Sequence, residues 1–319
     1  MNRASLVFAA LLVVLVPLSL LAGRVWIDPA TTPNAALILM DLRLPRAVLA
    51  IVIGAGLGTA GAAMQGYLRN PLADPGLFGI APMAALGAVA SFWIGVTWAL
   101  PIFALAGAAL AMVMLAWIAG RTPAGAGGGI ALFTLAGLMI ASLAGALTAL
   151  AITMSPNAFA LSQIVMWLNG ALTDRSWNEV WIAAPLTLLG IATLFVAARS
   201  LDALTLGEEA ARSMGIDPKR LLILLVAGVG LTVGAGVAVA GIIGFVGLIV
   251  PHLVRPLTDR MPSSLLLPSA LAGACLVLAA DSAVRIMPFV TELRLGIALS
   301  LIGAPFFLWL LIRMRKGQL

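Results

Sequence analysis

From Ser5 to Ile312 the chain divides into about ten apolar runs, cut at charges and at Gly/Pro clusters near 5–23, 44–67, 79–97, 99–119, 130–154, 178–197, 221–241, 244–257, 264–281 and 296–312. A helix needs roughly 17 to 25 apolar residues to cross the hydrocarbon of a bilayer, and most of these runs are that long. Inside a membrane every backbone group must be satisfied within the protein, so a series of such runs predicts a bundle of helices. Composition agrees: 62% of residues are hydrophobic and 9% charged, where a soluble domain carries about 25% charged residues. The runs at 79–97 and 244–257 are short and rich in Gly and Pro. Interrupted segments survive at membrane depth only where protein or a water-filled cavity covers the bared backbone, so these two are predicted to face inward.

The basic residues orient the bundle. With a cytoplasmic N-terminus, twelve of the eighteen Lys and Arg fall inside: Arg3, Arg69, Arg121, Arg199, Arg212, Lys219, Arg220, Arg255, Arg260, Arg313, Arg315 and Lys316. Arg24, Arg43, Arg46, Arg175, Arg285 and Arg294 fall outside. This asymmetry predicts both termini in the cytoplasm. It also accounts for the net charge of +6 without any nucleic-acid surface. The opening MNRASLVFAALLVVLVPLSLLAG has the order of a secretory signal, yet removing it would shift every later span out of register, so it reads as the first span. Cys275, the single cysteine, excludes an intrachain disulfide.

The longest polar segment, ARSLDALTLGEEAARSMGIDPKR at 198–220, has room for two short helices but not for a domain. GRTPAGAGGG at 120–129 reads as a flexible inside loop. The whole chain is therefore one transmembrane domain, 1–319, with 198–220 as a cytoplasmic segment within it. GAGLGTAG at 54–61 and GAGVAVAG at 234–241 agree at five of eight positions. They lie an odd number of crossings apart, so they read either as an inverted repeat of the kind found in many transporters or as the chance likeness of two Gly/Ala-rich helices. Gly54, Gly58 and Ala62, like Gly230, Gly234 and Ala238, recur every fourth residue and so share a helix face on which another helix can lie closely.

Chemistry-bearing motifs are sparse. There is no GxxxxGK[ST] phosphate loop, no cluster with metal-ligand spacing, and no run of buried carboxylates such as a proton- or sodium-driven carrier keeps within its helices. Asp281 and Glu292 fall near a span, at its outer end. A secondary carrier would need intramembrane ionisable groups, and an intramembrane enzyme would need a nucleophile or metal set. His252, the only histidine, has no second His to pair with, and the only tyrosine is Tyr67. It reads as a structural hydrogen-bonding residue near the cytoplasmic end of its span, not as a haem ligand.

Six stretches in order carry a resemblance over nearly the whole chain: LRLPRAVLAIVIGAGLGTAGAAMQGYLRNPLADPGLFGIAPMAALGA (42–88), MWLNGALTDRSW (166–177), LTLGEEAARSMGID (204–217), AGIIGFVGLIVPHLVR (240–255), LAADSAVR (278–285) and GAPFFLWLL (303–311). Together they resemble the FecCD-type permeases, the membrane subunits of ABC importers for iron-siderophores, haem and cobalamin. The chain departs from that pattern at Ile242 and Arg294, where the family often has Pro, and at PLTDRMPSS, which replaces a longer G-x-D-H stretch. The resemblance implies an all-α, polytopic fold of ten transmembrane helices per subunit and a homodimer with the substrate path along its two-fold axis. It implies two cytoplasmic ATPase subunits that hold ATP and Mg, so that this chain needs no cofactor and is no enzyme itself. It further implies a periplasmic or lipid-anchored substrate-binding protein, a place in the bacterial inner membrane, and a metal chelate as cargo, with a ferric siderophore ahead of haem and cobalamin.

The resemblance also assigns roles. Leu206, Gly207, Glu208, Ala211 and Gly215 inherit docking into a groove on the ATPase. Acids in the first turn there suit the positive end of the helix dipole, Gly215 supplies a stop, and Ala211 and Gly215 are expected to form a shallow contact face. Arg43, Arg46 and Arg285 inherit docking to glutamates of the binding protein. For Arg285 an internal pair with Asp281, four residues earlier, competes with that role. Met64, Gln65, Met139, Ser142 and Thr148 are the sparse polar or soft groups expected along a translocation path, with helix packing as the alternative.

Overall fold

An evenly apolar helix can be wrapped by protein or by lipid, and the difference lies in its neighbours. The computed structural model describes residues 3–120, 129–288 and 291–315. The described chain forms α1 (Arg3–Leu21), α2 (Ala35–Leu37), a π-helical turn (Ile38–Arg43) leading into α3 (Leu44–Leu68), α4 (Ile80–Trp93), α5 (Leu100–Ala119), α6 (Gly129–Thr153), α7 (Ala158–Leu168), α8 (Trp177–Leu204), α9 (Glu208–Ser213), α10 (Pro218–Ala240), α11 (Val246–Val254), α12 (Pro262–Ile286) and α13 (Leu295–Arg315). Among the described residues, eight helices are long and apolar enough to cross a membrane, while α4 and α11 are shorter. Those two are the interrupted runs expected from the sequence, so each apolar run coincides with a helix. The short α7 was not expected; its eleven residues fall between two runs. Of the loop predicted at 120–129, residues 121–128 lie outside the described residues.

The centre is built on α3 and α10. In each, 78% of the most apolar stretch is buried, against 17% for α1 and 28% for α5 and α6. The outer helices therefore turn apolar surface away from the protein, and the small residues are concentrated at the middle. A Cβ added to Gly54 would overlap the backbone of Gly273, and one added to Gly58 would overlap the Ser269 carbonyl, both on α12. Since lipid tails are as apolar as leucine, close van der Waals contact of this kind is what holds two membrane helices together.

The matching glycines of α10 meet a different helix: Gly230 faces Met112 and Gly234 faces Ala108, both on α5. Take α1, α3, α4, α5 and α6 as one half and α8, α10, α11, α12 and α13 as the other. Exchanging the halves turns the α3–α12 pair into α10–α5 and the α3–α11 pair into α10–α4, and all four pairs are in contact. Packing thus favours the repeat over chance likeness.

Between α10 and α11 the backbone leaves helical geometry, with Gly241 at φ 74° and Phe245 at φ 67°. The loop after α7 covers this break: the Ala171 N–H donates to the Ala240 carbonyl (2.8 Å), and Gly296 at the start of α13 donates to the Gly170 carbonyl (3.1 Å). Within α11, Pro251 has no N–H to offer the carbonyl of Gly247, four residues earlier. Gln65 of α3 donates there instead through Nε2, in long bonds to the carbonyls of Gly247 (3.4 Å) and Leu248 (3.3 Å).

Candidate functional site

Three regions hold the candidate residues. At one end of the bundle the chain breaks at Gly207 (φ 106°), makes the single short helix α9, and breaks again at Gly215 (φ 85°). Asp217 then caps α10 by accepting from the Lys219 N–H (2.9 Å). Glu208 and Glu209 occupy the first turn of α9 and Arg212 the last, as its dipole favours. The five predicted residues are together here, but the expected contact face is corrected. Ala211 is only 3% exposed and lines a small cavity of about 80 Å³ with Tyr67, Leu204 and Leu222. A six-residue helix has to seat one side on the bundle, and the alanine is that side. Of the expected face Gly215 remains exposed, beside Glu209, Ser213, Leu206 at 67% and Met214 at 61% exposure.

At the opposite end, where α3 begins and α8 begins, lies an arginine rim. Arg46 makes a two-pronged contact with Asp281, from Nε (3.0 Å) and Nη2 (2.8 Å), and also binds Glu292 through both terminal nitrogens. Asp281 is fully buried. Arg285 donates from Nη2 to the Ser19 hydroxyl (2.7 Å) and carbonyl (3.0 Å), and its Nε lies 3.2 Å from Asp281 but off the hydrogen-bond line. The expectation that Arg46 and Arg285 face outward to a partner is therefore corrected: both are held inside the rim, because buried guanidinium groups need acids and two lie within reach. Arg43 differs, donating only to the carbonyls of Leu20 (2.8 Å) and Val25 (2.9 Å).

The middle of the bundle contains a cavity of about 460 Å³ between α3, α4, α10, α11 and α13. Its walls include Ile53, Leu57, Val237, Phe245 and Phe307, and Asp74 is the one ionisable residue on them. Asp74 caps the short turn at Pro75–Phe78 by accepting from the Gly76 N–H (2.7 Å). None of the five predicted path residues lines this cavity. Met64 and Gln65 are 1% and 2% exposed, and Gln65 also accepts from Arg255 Nη2 (2.9 Å), so both belong to packing and backbone satisfaction. Met139 and Ser142 lie on the exposed side of α6, with Thr148 half-buried further along it.

His252 makes no hydrogen bond among the described residues. Its Nδ1 is buried without a partner, and its ring meets Phe306 edge-on at 6.1 Å. The expected hydrogen-bonding role is corrected to aromatic packing. His252→Gln should leave insertion and transport largely intact, with a change in unfolding free energy under about 1 kcal/mol. Thermal melting and uptake by the reconstituted variant check this, and a complete loss of uptake in a normally folded variant would contradict it.

A bundle with interrupted inner helices, an apolar central cavity and a short helix presented at one end has the build of a transport permease. Residues 11–313 match the FecCD transport family, and the chain belongs to that family. It is thus a multi-pass membrane protein and an ABC importer permease. It is 35% identical to the vitamin B12 import system permease protein BtuC of Escherichia coli O9:H4 (strain HS), over 98% of this chain and 96% of the relative. It is 36% identical to the hemin transport system permease protein HmuU of Yersinia pestis, over 90% and 87% of the two chains. A solved metal-chelate-type ABC transporter in an inward-facing conformation superposes with a TM-score of 0.87 at 29% identity, over 97% of this chain and 98% of the other. The fold is accordingly BtuC-like.

Proposed function

We propose that this chain is the membrane subunit of an importer that moves a metal chelate, with a ferric siderophore as first candidate, across the bacterial inner membrane. The central cavity carries this reading. Its aliphatic, aromatic and backbone walls with one carboxylate suit a bulky chelate whose metal is already saturated by its own ligand, because many weak contacts let such a cargo slide. Two copies pair around the path, and ATP and Mg are held by two cytoplasmic ATPase subunits on the side of α9. The α9 end and both termini are cytoplasmic, as the basic residues indicate. The arginine rim then faces a periplasmic or lipid-anchored substrate-binding protein. Relatives named for vitamin B12 and hemin import make cobalamin and haem the competing cargoes.

The test is uptake by proteoliposomes holding the permease, its ATPase and its substrate-binding protein, each offered a ferric siderophore, haem or cobalamin. ATP-dependent accumulation of the siderophore above the other two is the expected result. Preference for haem or cobalamin would replace the cargo, and uptake without ATP would replace the mechanism.

A further inference from the structure

The two short inner helices begin at one place. Ala81 and Pro82 in the first turn of α4, and Gly247 and Leu248 in the first turn of α11, line the same central cavity. From there the helices run in opposite directions. Gly247 lies against Gly61 of α3, and Arg255, just past the end of α11, donates to Gln65, so α11 follows α3 toward the α9 end. Gly107 of α5 lies against Met83 and Phe103 of α5 against Gly87, so α4 is antiparallel to α5, whose last residue, Ala119, borders the small cavity at α9. α4 therefore runs toward the rim. The first N–H groups of a helix have no partner within it, and that end carries positive partial charge. Two such ends meet at the cavity, and at membrane depth they draw negative charge.

The chain supplies that charge itself. Asp74 is half-buried and is the one ionisable residue on the cavity walls. Its neighbour Pro75 packs against Gly247 in the first turn of α11, while the turn that it caps, Pro75–Phe78, leads through Gly79 directly into α4. One short segment thus touches both helix starts. Oδ1 accepts from the Gly76 N–H (2.7 Å), and the second oxygen makes no hydrogen bond among the described residues. We infer that Asp74 is the resident counter-ion of the two helix N-termini, a positioning residue that holds α4 and α11 together and bars anionic groups of a cargo from the positive ends. The counter-ion role rests on this geometry; only its bearing on cargo rests on the proposed function.

Melting of the purified permease tests the counter-ion without any partner. Asp74→Asn keeps an oxygen for the Gly76 N–H and loses only the charge, so it should melt about 2 °C or more below wild type. Asp74→Ala loses both and should melt lower still. Formate, the carboxylate that this truncation removes, should raise the melting temperature of Asp74→Ala by about 2 °C or more. Uncharged formamide should not, and wild type should respond to neither. A wild-type melting temperature for Asp74→Asn would overturn the counter-ion, as would an Asp74→Ala protein that formate leaves unmoved or formamide stabilises equally. Reconstituted with the ATPase and the same binding protein, Asp74→Asn should shift uptake toward an anionic over a neutral ferric chelate by about tenfold. An unchanged preference would overturn the bar on anions. Failure of the wild-type permease to import any chelate would instead overturn the importer reading and leave the melting result standing.

Discussion

Asp281→Asn is expected to cost about 3 kcal/mol or more of stability, because it leaves a buried, uncompensated charge. Asp281 is fully buried and stands between Arg46 and Arg285. Once its charge is removed, two guanidinium groups share only Glu292, which binds Arg46 and is partly exposed. The network also joins distant parts of the chain: Arg46 opens α3, Asp281 and Arg285 close α12, and Ser19, which receives Arg285, closes α1. Asp281→Asn should therefore loosen the rim ends of three helices together and melt well below wild type in detergent. Removing one cation as well restores the balance, so Asp281→Asn with Arg285→Met should be more stable than the sum of the two single losses, as coupled neighbours are. Additive losses, or an unchanged melting temperature for Asp281→Asn, would show that the network does not hold the rim.

The helices were legible because a membrane span declares itself by length and apolarity, each read within one stretch of chain. Inward placement of 79–97 and 244–257 was legible for a related reason, since Gly and Pro at that depth demand cover. What covers them was not. Gln65 reaches the carbonyl bared by Pro251 across a separation of 182 residues, and Arg46 reaches Asp281 across 235. No local pattern records such distances. Helical spacing suggested a pair between Asp281 and Arg285, but Arg46 read from its position alone looked like a free outer charge. Ala211 shows the same limit on a smaller scale. Its small size suits a face that docks on another protein as well as one that seats on the bundle, and only the seating of α9, which leaves Ala211 3% exposed, separates the two.

The seating of α9 changes which substitution should separate the permease from its ATPase. The presented residues are Leu206 and Met214, at 67% and 61% exposure, on either side of a helix whose inner face is closed by Ala211. If α9 docks on the ATPase as proposed, these large, exposed apolar side chains beside acids and a basic residue are its anchor. Truncating or charging a central anchor commonly costs about 2 kcal/mol or more of binding, roughly thirtyfold. Leu206→Glu with Met214→Glu should therefore give a permease that inserts and melts normally, since surface changes of this kind usually alter stability by no more than about 0.5 kcal/mol. It should co-purify poorly with its ATPase and fail to import. Ala211→Trp should behave differently: overpacking a closed contact costs about 1 to 3 kcal/mol, and here the loss should appear first as a lower melting temperature of the permease by itself. Normal co-purification and wild-type uptake by the Leu206→Glu, Met214→Glu variant would remove α9 from the ATPase contact. A wild-type melting temperature for Ala211→Trp would mean that Ala211 does not seat α9 on the bundle.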